Sequence, residues 1–327
     1  MQKPIKEVYT DIALEVAEGL GEGEEGVELH SEDHPDAELK VSSVRITNEK
    51  GGERIGKPVG TYVTLESPRL RDNDAFAHEI IISQLADELI KMAELKQGSS
   101  VLIVGLGNWN VTPDALGPRV VSKVLVTRHL VETTAVDTHI DYAVRSVCAI
   151  SPGVMGITGI ETGEIILGIV ERVQPDLVVA VDALAARSIQ RINTTIQLAN
   201  TGINPGAGLG NKRMGLNKET LGVPVMAVGV PTVVDAATLI NDTLDEILED
   251  MAKHSDDNIN FYKNLQELQS HDKYGLIKET LRPYSGNMFV TPKEVDAVVD
   301  RLSRIISNGI NIALHPGITS EDINRYF

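Results

Sequence analysis

Three stretches of this chain are almost continuously apolar: Val101 to Val104, Leu177 to Val181, and Val223 to Val230. Runs this rich in β-branched residues predict strands buried on both faces, which is the pattern of central parallel strands. Arg145 to Ile150 predicts a fourth. Helical spacing lies between them. Ile80, Ile81, Leu85, Leu89, Ile90 and Met92 form a stripe that starts at Asp72 or Asp74 and stops at Gly98. Leu116 to Leu130 and Glu161 to Val173 also repeat at helical period. Strand and helix therefore alternate from 101 to 240, which predicts a parallel sheet with helices on both faces.

The flanks differ. Val41, Ser43, Ile46, Tyr62, Val63 and Leu65 alternate, so 40–65 predicts a meander beside the main sheet. Residues 1–40 are turn-rich and acidic, and are expected to bury little surface. Ile192 to Glu219 holds many Gly and Asn residues and is expected to be a long functional loop. Thr238 to Met251 and Asn260 to Leu268 predict helices. Thr291-Pro292-Lys293-Glu294 predicts a capping box that opens a helix to about Asn308. Ile310 to Leu314 follows as a short apolar return.

Each of the three central runs leads toward an acid: Asp114, Asp182 and Asp235. Sites in open α/β sheets form at the carboxyl ends of strands. Other chemistries fit less well. Gly105-Leu106-Gly107 lacks the third glycine of a dinucleotide fingerprint, since Asn110 stands there. Gly206 to Arg213 has Asn and Arg where a phosphate loop needs Gly and Ser or Thr. No histidine lies between His139 and His254, so the richest loops hold no triad base. Cys148, the one cysteine, sits in an apolar run; it excludes an internal disulfide and a Cys-based zinc cluster. His30 and His34, followed by Pro35, are surface residues on this reading. Carboxylates remain. Two held close together share one proton, and such a pair both activates water and protonates a leaving group. The alternative is that Asp114 and Asp182 cap helices or pair with Arg119 or Arg187. Residue chemistry leaves both open.

With 327 residues the chain can bury a large core. Its net charge of −17 argues against nucleic-acid binding. Residues 101–240 hold 11 acids and 10 bases, so the excess lies in the flanks. No run spans a bilayer and Met1 to Thr10 is polar, which gives the expectation of a cytoplasmic protein.

Five motifs carry a resemblance: GLGNWNVTPDALGP, AISPGVMGITGIETGEI, VVAVDALAARS, NTGINPGAGLGNKR and VGVPTVVDA. From about Tyr9 through the last helix, the chain resembles the spore germination proteases of endospore-forming bacteria. That family is similar in fold to the hydrogenase maturation proteases. The resemblance implies a three-layer α/β sandwich around a mostly parallel sheet, with an added N-terminal strand region and C-terminal helices. It implies an endopeptidase that degrades small acid-soluble spore proteins in the spore core, made as a self-processing zymogen and assembled as a homotetramer. The family's aspartate pair falls on Asp114 and Asp182. Its substrates are cut after the acid in Thr-Glu-Ile/Phe-Ala, and this chain carries Thr10-Asp11-Ile12-Ala13. The expected division is therefore a propeptide, 1–11, and one peptidase domain, 12–327, with its core at 98–240 and a helical part at 241–327. A pocket that reads an acid needs cations or donors; Arg145, Arg187, Lys212, Arg213 and Asn108 are the candidates. No cofactor and no metal are expected. The alternatives are a metal-assisted peptidase using the same acids and a non-catalytic α/β ligand-binding module.

Overall fold

The computed structural model describes residues 10–20, 24–133, 144–204, 213–254, 275–277, 279–281, 288–319 and 321–322. Among these, nine strands form one mixed sheet. They are β1 (Val27–His34), β2 (Leu39–Ile46), β3 (Gly60–Glu66), β4 (Val101–Gly105), β5 (Val147–Ile150), β6 (Leu177–Ala186), β7 (Thr195–Ala199), β8 (Val225–Asp235) and β9 (Phe289–Val290). The order is β1-β2-β3-β7-β8-β6-β4-β5, with β9 on β8. The four apolar runs are the parallel half, β8-β6-β4-β5. The alternating N-terminal segment extends it antiparallel through the β3–β7 pair.

The helices are α1 (Ala13–Leu20), α2 (Glu49–Ile55), α3 (Ala75–Ala93), α4 (Leu116–Val121), α5 (Arg128–Thr133), α6 (Met155–Thr158), α7 (Thr162–Val173), α8 (Lys218–Leu221), α9 (Ala236–His254) and α10 (Val295–Leu314). Asp74 caps α3 by accepting the Ala77 amide at 3.1 Å. The sheet is covered on both sides, as a three-layer α/β sandwich. The face of Val101, Ile103, Val179 and Val181 packs against Ile81 and Leu85 of α3, Val120 of α4, and Leu302 and Ile306 of α10. The opposite face is covered in two patches. Leu102, Val104, Val178 and Ala180 lie under Ile166 and Val170 of α7. Val44, Tyr62, Ala186 and Ala199 lie under Leu14 and Ala17 of α1. Ile203 packs against both patches and lines a cavity on this face. No helix among the described residues is long and apolar enough to cross a membrane.

Several expectations are corrected. Part of the N-terminal region is not loosely held: Ile12 and Ala13 are 0% exposed, in the patch formed with α1, whereas β1 stays largely exposed, as expected. The long loop contains β7, whose five buried residues seat it between β3 and β8. Leu116 to Leu130 breaks into α4 and α5, with the turn at Ser122 to Val124 between them. The capping box at Thr291 does not form. The Thr291 hydroxyl donates instead to Thr232 O at 2.8 Å, and Glu294 takes the cap position with no side-chain bond. Ile310 to Leu314 is the end of α10, not a separate return, since its apolar residues continue the buried stripe of that helix. The expected helix at 260–268 lies outside the described residues.

β6 and β8 run past the acids and residues where they were expected to stop. β4 ends opposite Val181, while β6 keeps β8 as a partner as far as Ala186. Asp182 is thus mid-strand, but it is the first β6 residue beyond β4. From there one edge of β6 lacks a strand, and carboxylates supply the acceptors. The amide of Ala183 donates to Asp182 Oδ1 at 2.9 Å, that of Ala185 to Asp11 Oδ2 at 2.9 Å, and that of Arg187 to Glu15 Oε2 at 2.9 Å. Glu15 Oε1 also accepts from the Ser188 amide at 3.0 Å and lies 3.7 Å from Arg191.

Replacing Glu15 with Ala should therefore undo the docking of α1. Leaving two amides and a cation short of an acceptor costs about 2 kcal/mol. Urea unfolding should show that loss, and limited proteolysis should cut within 10–20. Unchanged protection would mean that the apolar face of α1 holds it alone.

Candidate active site

The site is built where β4 leaves the sheet. The amide of Leu106 donates to Val181 O at 2.8 Å and ends the pairing. Gly107 then turns the chain at φ +110°, where a Cβ would lie 2.0 Å from Asp114 O. Only glycine suits that position. The loop folds back through the 3-10 turn Thr112–Asp114. The Asn108 amide donates to Asp114 Oδ2 at 2.8 Å and to its carbonyl at 3.1 Å. Thr232 of β8 holds the same turn by donating to Pro113 O at 2.7 Å.

Asp114 and Asp182 line one cavity of about 430 Å³, together with residues of β6, β7 and β8. That volume suits a short peptide segment. Register fixes a second member. Asp182 stands opposite Gly229 of β8, and Gly229 stands opposite Gln197 of β7. Gln197 and Asp182 thus share a row, two strand spacings or about 10 Å apart. The cavity is already threaded by the chain itself. Asp11 lines it, and its amide donates to Ala185 O at 3.1 Å. The Asp11 carbonyl accepts from Lys57 Nζ at 2.9 Å and from Gln197 Nε2 at 3.0 Å. Gln197 Oε1 accepts from the Ala13 amide at 2.7 Å. The Ile12 amide donates to Thr10 Oγ1 at 3.0 Å, and Thr10 in turn bonds Glu15.

Burial dominates the electrostatics. It raises the proton affinity of Asp182 well above the usual carboxylate range, and the charge of Asp114 raises it further. Burial also raises Asp114, against the Asn108 amide and the Arg213 charge, which favour its ionised form. Burial raises Asp11 as well and lowers Lys57, while the mutual attraction of these two opposes both shifts. The arrangement thus favours a proton on Asp182 and a charge on Asp114. Such a pair can take a proton from water and give one to an amine.

Sequence comparison places the chain among known proteins. A sequence profile of the germination protease family matches residues 6–267 and 248–327. The germination protease of Clostridium tetani is 50% identical over 323 residues, covering 98% of this chain and 99% of that protein. Those of Clostridium acetobutylicum and Bacillus subtilis are 50% and 42% identical, each covering 98% of this chain and 98% and 96% of the relative. The chain belongs to the germination protease family.

For this germination protease family member, the structure brings together only some of the expected site residues. Asp114 and Asp182 meet in the cavity. Arg213 acts on both through its charge. Asn108 serves through its backbone, while its side chain accepts the Asn110 amide at 3.0 Å. Arg187 lies beyond the end of β6, 3.8 Å from Asp242, and does not line the cavity. Arg145 is elsewhere. It precedes β5, at the amino end of the parallel strands, and its guanidinium donates to Leu314 O and Lys96 O. A cation at that end cannot reach an acid at the carboxyl end. Lys212 lies outside the described residues. Asp235 bonds the Thr238 amide and hydroxyl at the start of α9, the ordinary capping use of the residue. Among the described residues no three His, Cys, Asp or Glu side chains gather as a metal site would need.

Sequence reasoning missed Lys57 and Gln197. Gln197 was visible as the one long polar residue inside an apolar strand, Thr195-Ile196-Gln197-Leu198-Ala199. Lys57 carried no signal. It reaches the cavity because Tyr62 Oη holds the neighbouring Pro58 carbonyl at 2.9 Å, and burial pushes the Tyr62 hydroxyl up to about 12, so that it stays a donor.

The raised Asp182 makes a stability prediction. Once pH passes the ordinary 3.8 of the unfolded chain, the folded chain must hold a proton or bury a charge, so stability falls as pH rises toward the raised folded value. Asp182→Asn removes that cost. Its melting temperature should exceed the parent's at about pH 7, and the difference should vanish at about pH 3, where both forms are neutral. A gap that does not depend on pH would contradict a buried, proton-holding Asp182.

Proposed function

We propose that this family member is an endopeptidase in which Asp114 and Asp182 share one proton and hydrolyse the bond after an acidic residue. The observation that carries this is a peptide bond held in the same cavity as the pair. Asp11 lines the cavity that holds both aspartates, and its carbonyl and both flanking amides are bonded. Asp114, which burial raises less than Asp182 and whose ionised form the Asn108 amide and Arg213 favour, takes a proton from water. That water adds to the carbonyl carbon. Asp182, kept protonated by burial and by the charge of Asp114, gives its proton to the leaving amine.

On this reading residues 1–11 are a propeptide, and the chain is a zymogen that cuts itself between Asp11 and Ile12. The segment needs no unfolding to reach the site. The substrates are small acid-soluble spore proteins with Thr-Glu-Ile/Phe-Ala-like sites, met in the spore core, and the working assembly is a homotetramer. The family and the Thr10-Asp11-Ile12-Ala13 match support these parts. On this reading the aspartate pair supplies both the base and the acid of the hydrolysis.

Asp114→Asn and Asp182→Asn should each slow cleavage of a Thr-Glu-Ile-Ala peptide by at least ~10². The parent's rate should be bell-shaped in pH, falling in acid as Asp114 gains a proton and in base as Asp182 loses one. Full activity of either variant would refute the pair. Dialysis against a chelator should leave the rate intact; loss restored by one added metal would move the chemistry to a metal-assisted route.

Maturation should yield a chain beginning at Ile12 by mass spectrometry. Asp11→Glu should hasten it, since it makes the site match the Thr-Glu-Ile-Ala pattern of the proposed substrates. Any other new terminus would count against the assigned bond.

A further inference from the structure

We infer that Lys57 and Gln197 are catalytic residues, which together hold the carbonyl oxygen of the residue before the cut and take up its charge when water adds. This rests on the aspartate-pair reading, which names the base and the acid but leaves the oxyanion without a partner. Hydrolysis of an amide passes through a tetrahedral oxyanion, and donors aimed at that oxygen are commonly the largest stabilising contribution.

Two side chains converge on the Asp11 oxygen, Lys57 Nζ at 2.9 Å and Gln197 Nε2 at 3.0 Å. One is an amine, whose charge burial disfavours and Asp11 and Glu15 support, the other is a neutral amide, and both come from the opposite side of the cavity to β4. Lys57 arrives from the loop before β3, and Gln197 from β7. The amide group of Gln197 spans the bond to be cut. Its nitrogen donates to the Asp11 carbonyl, and its oxygen accepts the Ala13 amide at 2.7 Å. This clamp fixes the orientation of the Gln197 amide, because neither atom could exchange roles and keep its partner. Ala185 pairs with the Asp11 backbone, and Asp182 lies three residues before it on β6. The carbonyl thus has its donors on the β3–β7 side and the aspartates on the β4–β6 side.

The step balances. Water gives a proton to Asp114 and its oxygen bonds to the Asp11 carbonyl carbon. The carbonyl electron pair moves to oxygen, where Lys57 and Gln197 meet it. The bond from carbon to the Ile12 nitrogen then breaks, and that nitrogen takes the proton of Asp182. The products are an Asp11 carboxyl and an Ile12 amine.

The rival role is anchoring, in which Lys57 and Gln197 merely hold residues 10–14 in place. The two roles differ in sign. Loss of an anchor frees the segment, so self-processing should hold or rise and the amides of 12–14 should exchange faster. Loss of an oxyanion donor slows the chemistry. The experiment is the first-order maturation rate of the full-length chain at about neutral pH, read by mass spectrometry, with thermal melting as a check on folding. Lys57→Met and Gln197→Glu should each lower the rate by ~10², while Lys57→Arg, which keeps a charged donor, should restore most of it. Gln197→Glu keeps the acceptor for the Ala13 amide and loses the donor but adds a charge, so Gln197→Met, which adds none, is read beside it and should be slowed as well. Folded Lys57→Met and Gln197→Glu chains that mature at the parental rate would overturn the inference. So would a parent that never cuts after Asp11. Asp114→Asn separates the two claims. If it matures normally, the aspartate pair fails. If it is inert while the donor variants are normal, the pair stands and the oxyanion role is lost.

Discussion

The unpaired edge of β6 is the constraint on which the rest depends. β4 stops at Gly105, so the amides of Ala183, Ala185 and Arg187 have no strand to pair with. Buried amides without acceptors are costly. Three carboxylates meet them in turn, from Asp182, Asp11 and Glu15. The edge therefore selects where the N-terminal segment lies, and it lays that segment beside the aspartate that governs the cavity. A sheet edge usually threatens aggregation. Here it positions a peptide, in the manner of strand addition.

The same geometry sets the charges. A buried carboxylate is poorly solvated, and Asp182 answers by holding a proton. Each aspartate accepts one backbone amide and feels Arg213, but Asp182 is the more deeply buried and also faces the charges of Asp114 and Asp11, so it is raised further. Two residues of one type are thereby shifted to different degrees by their surroundings. α1 and α7 cover different patches of one face, and Ile203, which lines the cavity of the aspartates, packs against both.

Much of the fold was legible in the sequence, because buried parallel strands and amphipathic helices carry strong periodic signals. Val101–Val104, Leu177–Val181 and the stripe from Ile80 to Met92 all found their places. β7 was hidden in a polar, glycine-rich neighbourhood, although its own five residues alternate. Asp182 could be named but not located within its strand, since a strand ends where its partner ends and pairing is not written locally. Lys57 and Gln197 were illegible for the same reason. Their importance arises from register across β7, β8 and β6, and from a contact between positions 11 and 197. Arg145 was drawn in by sequence proximity to the sheet and lies at its wrong end.

β8 has a further consequence, for biosynthesis. It lies between β7 and β6 in space, yet it is translated after both. Until residues 225–235 have left the ribosome, Gln197 and Asp182 have no shared row and the Asp114 turn lacks Thr232. Contacts so distant in sequence form late and slowly. We expect a nascent chain arrested before residue 225 to be hydrolytically silent, and a ribosome-bound chain that cut a peptide at that length would disprove it. On the proposed mechanism, strand order alone then delays hydrolysis until β8 is in place.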